Sequence, residues 1–341
     1  MTSFGSIPSN EKKLAISTDF LLHELRVRYS HMIWSLNSLP FSETSPVPTM
    51  IELCAITLDE LFSHPELTIQ DAHKYVPTFT DLVKRMLNRH QDDKLMLSQG
   101  LVDWKHSRQD LTAEMNTAID RGIDTFLSHR IATRVISHHH VALYDEPNRE
   151  GYIGAIEKKC SPAKIAERVS EDVSEMFNVQ RGNCPPIKVL GNISLSFSYI
   201  PVHIYYILIE LVKNSAMATL KTHSKGLPPI NIIVAQGKED FCIKVEDEGG
   251  GIPRTRIDQV WTYAFTSEAS PFHHHNISHD PLAGYGFGLP MSRLYARYFG
   301  GDLKLMSLDG YGTDAYVFLP RLGNTLEWVP THPVYKNDEF I

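Results

Sequence analysis

Between residues 19 and 143 apolar side chains recur at helical spacing, and breakers are few: glycine stands only at 100 and 122, proline at 40, 46, 48, 65 and 77. Four helices are expected. The first carries Phe20, Leu21, Leu25 and Val27, continues toward Met32 and Ile33, and is stopped by the Ser- and Pro-rich stretch 39–48. The second runs over about 49–62, with Pro48 at its start. The third covers about 76–89, where Pro77 fits the first turn because its missing N–H has no intrahelical partner there. The fourth spans about 109–139, long enough at about 1.5 Å per residue to cross a whole domain. Such a set reads as an all-α four-helix bundle.

From about residue 162 the pattern turns to mixed helix and strand. Residues 186–191 and 194–199 read as short strands, 201–221 as a helix, and 229–235 as a strand rich in β-branched residues. Phe241, Ile243 and Val245 then alternate with Cys242, Lys244 and Glu246, as in a strand with one buried face, after a hairpin-sized connection. A helix over 289–299 follows a glycine-rich turn, and a last hairpin pairs 302–308 with 315–320 across Asp309, Gly310, Tyr311 and Gly312. Interleaved helices and antiparallel strands predict an α+β sandwich with helices on one face of a mixed sheet. The expected division is an extension over 1–18, the bundle over 19–150, the sandwich over 151–322 and a tail over 323–341.

The length of 341 residues is enough for two domains with separate cores. With 42% hydrophobic and 21% charged residues the composition is that of a globular chain. A net charge of −7 argues against a nucleic-acid partner or an anionic lipid surface, and the absence of an apolar run of about 18 residues argues against membrane insertion. Cys54, Cys160, Cys184 and Cys242 are widely spaced and form no CxxC pair, which fits buried thiols in a reducing compartment. The first 20 residues contain Lys12 and Lys13 but no arginine, so an Arg-rich, acid-poor leader is not visible there.

Four clusters in the second half carry candidate chemistry. Glu210 and Asn214 are four residues apart on one helix and share a face with Lys213 beside them. There a carboxylate can orient a hydroxyl, an amide oxygen can hold a hard cation such as Mg²⁺, and an ammonium can face phosphate; a solvated polar face is the plain alternative. Asp247 is followed by Glu248 and the glycines 249, 250 and 251 at the end of a strand. Its carboxylate can accept from an exocyclic amine while the glycines let a flat ligand approach the backbone. Gly284, Tyr285, Gly286, Phe287, Gly288 and Leu289 lead through Pro290 into a helix whose N-terminal N–H groups suit phosphate. The spacing is neither a dinucleotide-binding fingerprint nor a Walker loop. Thr313, in the Gly-Tyr-Gly-Thr run of the last hairpin, can face the same pocket as Asp247.

The order ELxKN, DxGGG, GxGxGLP, GxGT resembles the four nucleotide-binding boxes of the GHKL ATPase superfamily. With HELRVR (23–28), LPF (39–41), RHQDD (89–93), SHRIATRVISHHHVAL (128–143), ELVKNSAMAT and YGFGLPMSR, residues 18–330 resemble the mitochondrial kinases of 2-oxoacid dehydrogenase complexes, pyruvate and branched-chain types together. The resemblance implies a Bergerat-type ATP domain, Mg²⁺-ATP as cofactor and phosphorylation of serine on the E1 α subunit. It also implies docking on the lipoyl domain of the E2 core, a homodimer and the mitochondrial matrix. It gives Glu210 and Lys213 catalytic roles, Asn214 the metal, and a nucleotide site of Glu210, Leu211, Val212, Lys213, Asn214, Ser215, Ala216, Met217, Asp247, Gly249, Gly251, Gly284, Tyr285, Gly286, Phe287, Gly288, Leu289 and Thr313. A lid over 261–280 would add Thr266 and Ser267. Tyr206, where pyruvate-type kinases carry His, and AFTSEAS (264–270) look like the branched-chain type; LEWVPTHP (326–333) looks like the pyruvate type, with Glu327 in place of Asp. Met217 stands where the family usually has Arg nearby. The subtype stays open.

By the same resemblance His90, Asp92, Arg130 and Arg134 would line a pocket for a small regulatory carboxylate, since two guanidiniums at i and i+4 can grip a carboxylate; intra-bundle ion pairing is the alternative. His138, His139 and His140 resemble a phosphoacceptor region but fit a structural role. His273, His274, His275 and His279 lack the partners of a closed zinc site. A histidine autokinase and a non-catalytic ATP-binding scaffold are the rival readings.

Overall fold

The computed structural model describes residues 10–64, 69–108, 110–238, 240–265 and 286–321. Its first half contains α1 (Asn10–Asn37), α2 (Val47–Ser63), α3 (Ile69–Arg89), α4 (Asp93–His106) and α5 (Ala113–Asp145). The expected bundle is there: α1 packs against α2, α3 and α5, and their apolar stripes close over Leu22, Leu25, Met32, Phe79, Phe126 and Leu127. The fifth helix, α4, leans on α2. It lies where the sequence suggested a connection, because Gly100 looks like a breaker. In the fold Gly100 is a close-approach residue, since a Cβ there would come within 2.7 Å of the Val47 side chain.

Three helix boundaries differ from expectation. Helix α1 begins at Asn10, inside the stretch 1–18 expected as an extension, and buries Ala15, Ser17 and Thr18. Helix α3 starts at Ile69, which places Pro77 inside it rather than in its first turn. Pro77 is exposed, so water can serve the carbonyl left without a donor. Helix α5 starts at Ala113, where the Thr112 hydroxyl accepts from the Met115 N–H at 3.2 Å, and runs on to Asp145.

The second half opens with β1 (Tyr152–Ile153) and β2 (Ile156–Cys160), then α6 (Pro162–Arg181), β3 (Ile187–Gly191) and β4 (Phe197–Tyr199). Helix α7 (Pro201–Thr222), β5 (Ile230–Gln236), β6 (Asp240–Asp247), α8 (Gly288–Tyr298), β7 (Asp302–Leu308) and β8 (Gly312–Pro320) follow. A three-stranded sheet, β1-β2-β4, borders the bundle, and the five-stranded sheet runs β3-β5-β6-β8-β7. Only β3 and β5 are parallel within the larger sheet. Its inner face (Ile232, Val234, Ile243, Val245, Val317, Leu319) is covered by α6, α7 and α8. This is the expected α+β sandwich.

The two halves share packing. Tyr263, Phe287, Met291, Leu294 and Tyr298 belong to the same buried cluster as the bundle side chains. The bundle therefore touches the elements that frame the candidate site. Among the described residues no helix is long and apolar enough to cross a membrane.

Candidate active site

Asp247 ends β6, and only 6% of it is exposed. Its Oδ2 accepts from the Ser215 hydroxyl of α7 at 2.7 Å and its Oδ1 from the Gly249 N–H at 2.9 Å. Burial pushes its pKa up, opposed by these donors and by the Thr313 N–H of β8. The glycines beside it are needed for contact. A Cβ at Gly249 would meet the Ala218 Cβ at 2.6 Å, and one at Gly251, where φ is +69°, would run into the Leu308 carbonyl. Gly250 donates to the Tyr311 carbonyl at 3.0 Å and accepts from Gly310 at 2.8 Å, so the turns after β6 and β7 lock together backbone to backbone. The Thr313 hydroxyl lies 2.9 Å from Ser307 Oγ. A buried carboxylate at the base of a glycine cradle, with lone pairs left over, suits the amine edge of a purine.

Glu210 and Lys213 occupy the neighbouring face of α7, half-buried, with Lys213 Nζ 3.6 Å from Glu210 Oε1. Asn214 is exposed one residue further on. The N-terminus of α8 closes this corner: a Cβ at Gly288 would come within 2.6 Å of Glu210 Oε2. A carboxylate is therefore set against the positive end of a helix. Gly286, at φ +70°, accepts from the Ala264 N–H at 3.2 Å, which brings together the two ends of the segment between them. One side chain that the motifs did not reveal arrives from the bundle. Lys94 Nζ donates to the Tyr206 hydroxyl at 3.5 Å, one helical turn before Glu210.

Residues 1–157 match the family model described as mitochondrial branched-chain alpha-ketoacid dehydrogenase kinase, and 199–323 match the histidine kinase-, DNA gyrase B- and HSP90-like ATPase model. Along the whole chain, an Arabidopsis thaliana mitochondrial pyruvate dehydrogenase (acetyl-transferring) kinase is 36% identical over 341 residues, 97% of this chain and 91% of that protein. A Schizosaccharomyces pombe counterpart is 37% identical over 266 residues, 74% of this chain and 61% of that protein. The mouse isozyme 1 is 34% identical over 347 residues, 98% of this chain and 78% of that protein. The chain belongs to the mitochondrial 2-oxoacid dehydrogenase kinase family. It is a protein kinase of the serine/threonine type with a GHKL ATP-binding domain, as the ordered boxes implied.

In this kinase the residues expected to bind a regulatory carboxylate do not all converge. His90 and Arg130 are buried together, but Asp92 is exposed, within 3.4 Å of the Gln91 amide. The carboxylate facing inward is Asp93, because the first turn of α4 rotates consecutive residues by about 100°. Asp93 lies 3.2 Å from His90 Nδ1 and 3.5 Å from Arg130 Nε. Arg134 is half-buried, within 3.4 Å of the Leu87 carbonyl, and the desolvation there together with Arg130 lowers its pKa.

His140 is fully buried, with one ring nitrogen 2.9 Å from Ser17 Oγ and the other 3.0 Å from Thr80 Oγ1. Burial pushes it down to about 4, so it is a neutral core residue. His139 is also buried and accepts from the Ala155 N–H at 3.3 Å, at the junction with β2. Neither is accessible as a phosphoacceptor. Gly284, Tyr285, Thr266, Ser267, the histidines 273–275 and 279, and the tail with Glu327 lie outside the described residues.

Proposed function

We propose that this kinase transfers the γ-phosphoryl group of Mg²⁺-ATP to serine on the E1 α subunit of a mitochondrial 2-oxoacid dehydrogenase complex and thereby inactivates it. ATP use is common to its family domain. The observation that carries the reading is Glu210, a carboxylate held between Lys213 and the N-terminus of α8 on the same helix as Ser215, which binds Asp247. Glu210 would take the proton of the serine hydroxyl as its oxygen bonds to phosphorus and ADP departs; Lys213 would meet developing phosphate charge. The adenine amine would pair with Asp247, and the phosphates would lie over 284–289.

Asn214 offers an exposed oxygen on the same face. Among the described residues no group of three or more His, Cys, Asp or Glu could hold a metal. A single amide oxygen such as that of Asn214 fits Mg²⁺, which keeps waters and phosphate oxygens and takes few protein ligands. When bound, it would neutralise the charge between the phosphates.

The relatives are mitochondrial, which supports the mitochondrion and, as a proposal, its matrix. The bundle would dock the lipoyl domain of E2. The outer face of the large sheet, with Met306 and Leu308 of β7 exposed, would pair two copies. The relatives' names favour pyruvate dehydrogenase E1 as substrate. The test is parallel phosphotransfer to purified pyruvate and branched-chain E1, with Glu210→Gln beside the wild type. Acid-stable phosphoserine on one E1, abolished by Glu210→Gln with nucleotide binding retained, is expected; no transfer to either E1 refutes the reading.

A further inference from the structure

Lys94 stands in the first turn of α4, beside Asp93, yet its side chain serves the other domain. Its ammonium donates to the Tyr206 hydroxyl at 3.5 Å and lies 5.4 Å from the centre of that ring. Tyr206 in turn donates to Met291 Sδ at 3.7 Å and packs on Tyr295, ring centres 4.6 Å apart, so it is fixed from α8. Tyr206 and Glu210 are i and i+4 on α7 and share one face. Desolvation is the largest cause lowering the Lys94 pKa; Glu210 opposes it by attraction, and the repulsion of Lys213 and Arg130 adds to it. An ammonium removed from water is unfavourable unless an anion answers it. Here the attracting negative charge is that of Glu210, one helical turn beyond the Tyr206 hydroxyl that Lys94 contacts.

We propose that Lys94 is a positioning residue for phosphoryl transfer: delivered by the helical domain, its ammonium fixes Tyr206 and the Glu210 carboxylate opposite Lys213 and the N-terminus of α8. This rests on the reading of Glu210 as the group that orients the substrate hydroxyl. The charged and titratable groups around Lys94 are Tyr206, Glu210 and Lys213 from α7, Arg130 from α5, Asp93 from α4 and Tyr295 from α8. Asp93 faces Arg130 and His90, whereas Lys94 faces Tyr206. A displacement of the start of α4 therefore moves the Arg130 cluster and the catalytic carboxylate together.

The test uses the full chain with Lys94→Met, Lys94→Arg and Glu210→Gln, measuring ATP binding, KM and kcat on E1. Lys94→Met is expected to lower kcat about tenfold or more with ATP affinity within about twofold, as loss of a transition-state interaction requires. Lys94→Arg, which keeps the charge, should recover most of kcat. Wild-type kcat in Lys94→Met, while Glu210→Gln is inactive, overturns the proposal and leaves the role of Glu210 standing. A lower kcat that Lys94→Arg does not recover assigns Lys94 to packing and also overturns it. Transfer retained by Glu210→Gln overturns both. If Lys94→Met does not fold, Lys94→Gln carries the same readouts.

Discussion

The Asp93 carboxylate stands 3.5 Å from Arg130 Nε and 3.2 Å from His90 Nδ1, with 1% of its side chain exposed. Arg130 further donates from Nη2 to the His90 and Gln91 carbonyls at 3.1 Å each. The arginine expected to grip a small carboxylate already grips one from its own chain. A carboxylate ligand at Arg130 would compete with Asp93, and a buried ion pair resists separation because either partner left alone costs about 3–5 kcal/mol.

Asp93→Asn should therefore lower the melting temperature and open the site to an external carboxylate. Millimolar pyruvate or a haloacetate is expected to restore that temperature in Asp93→Asn, to leave the wild type nearly unmoved, and to do nothing for Asp93→Asn combined with Arg130→Ala. Thermal melts with and without ligand decide it. Equal ligand shifts in wild type and Asp93→Asn would place the ligand elsewhere.

Asp247 supports a sharper statement about nucleotide affinity. Asp247→Ala strips the Ser215 hydroxyl and the Gly249 N–H of their acceptor, besides losing the contact proposed with the adenine amine. A hydrogen bond to a charged group contributes about 1.5–3 kcal/mol, so Ser215→Ala should weaken ATP binding about tenfold and Asp247→Ala by 100-fold or more. Titration with a fluorescent ATP analogue reads both. An Asp247→Ala affinity within threefold of wild type would remove Asp247 from the adenine site.

What the sequence disclosed and what it hid differ in kind. Strands β5 and β6, helices α7 and α8 and the last hairpin follow from local periodicity, and Glu210, Asn214 and Asp247 stand out because each lies in a compact cluster at an element end. Periodicity tells which residues share a face but not which faces meet. Lys94 looks like one more helix charge until α4 is laid against α7, and α4 itself was masked by Gly100, whose lack of a side chain serves packing against Val47. Strands β1 and β2 were also hidden, since Glu157, Lys158 and Lys159 interrupt any alternation. Asp92 and Asp93 could not be told apart until helix phase was known.

Gly288 separates activity from stability. In the first turn of α8 an alanine is the better helix former by up to about 1 kcal/mol, and its methyl would meet only the end of a flexible side chain, Glu210 Oε2 at 2.6 Å. Gly288→Ala should thus melt at or above the wild-type temperature. Its kcat should fall, since misplacing a reacting group by about 1 Å can cost on the order of 10²-fold. Melting curves and initial rates on the same preparation give the answer; unchanged kcat would mean that Glu210 is not where transfer needs it.

Tyr263 makes the contact between bundle and ATP domain sensitive to pH. Its hydroxyl donates to Asp124 Oδ1 at 2.6 Å, its N–H to Asp120 Oδ1 at 3.1 Å, and its carbonyl accepts from Lys105 Nζ at 2.8 Å, so α4 and α5 hold this residue while its ring packs on Phe287. Burial pushes Asp124 up to about 6 from an ordinary 3.8, only partly offset by the Tyr263 hydroxyl. A raised carboxyl pKa means that the folded protein binds this proton more tightly than the unfolded chain. Its contribution to stability is full below pH 3.8 and is lost as pH rises through about 6. Above that, the buried charge costs up to about 3 kcal/mol. Asp124→Asn removes the charge and keeps an oxygen to accept from Tyr263. It should therefore be more stable than wild type at pH 8, by about 1–3 kcal/mol, with the gain shrinking toward pH 5. Denaturant unfolding at both pH values tests the sign. A gain that is larger at pH 5, or a loss at pH 8, would show that the Asp124 charge itself holds Tyr263 in place.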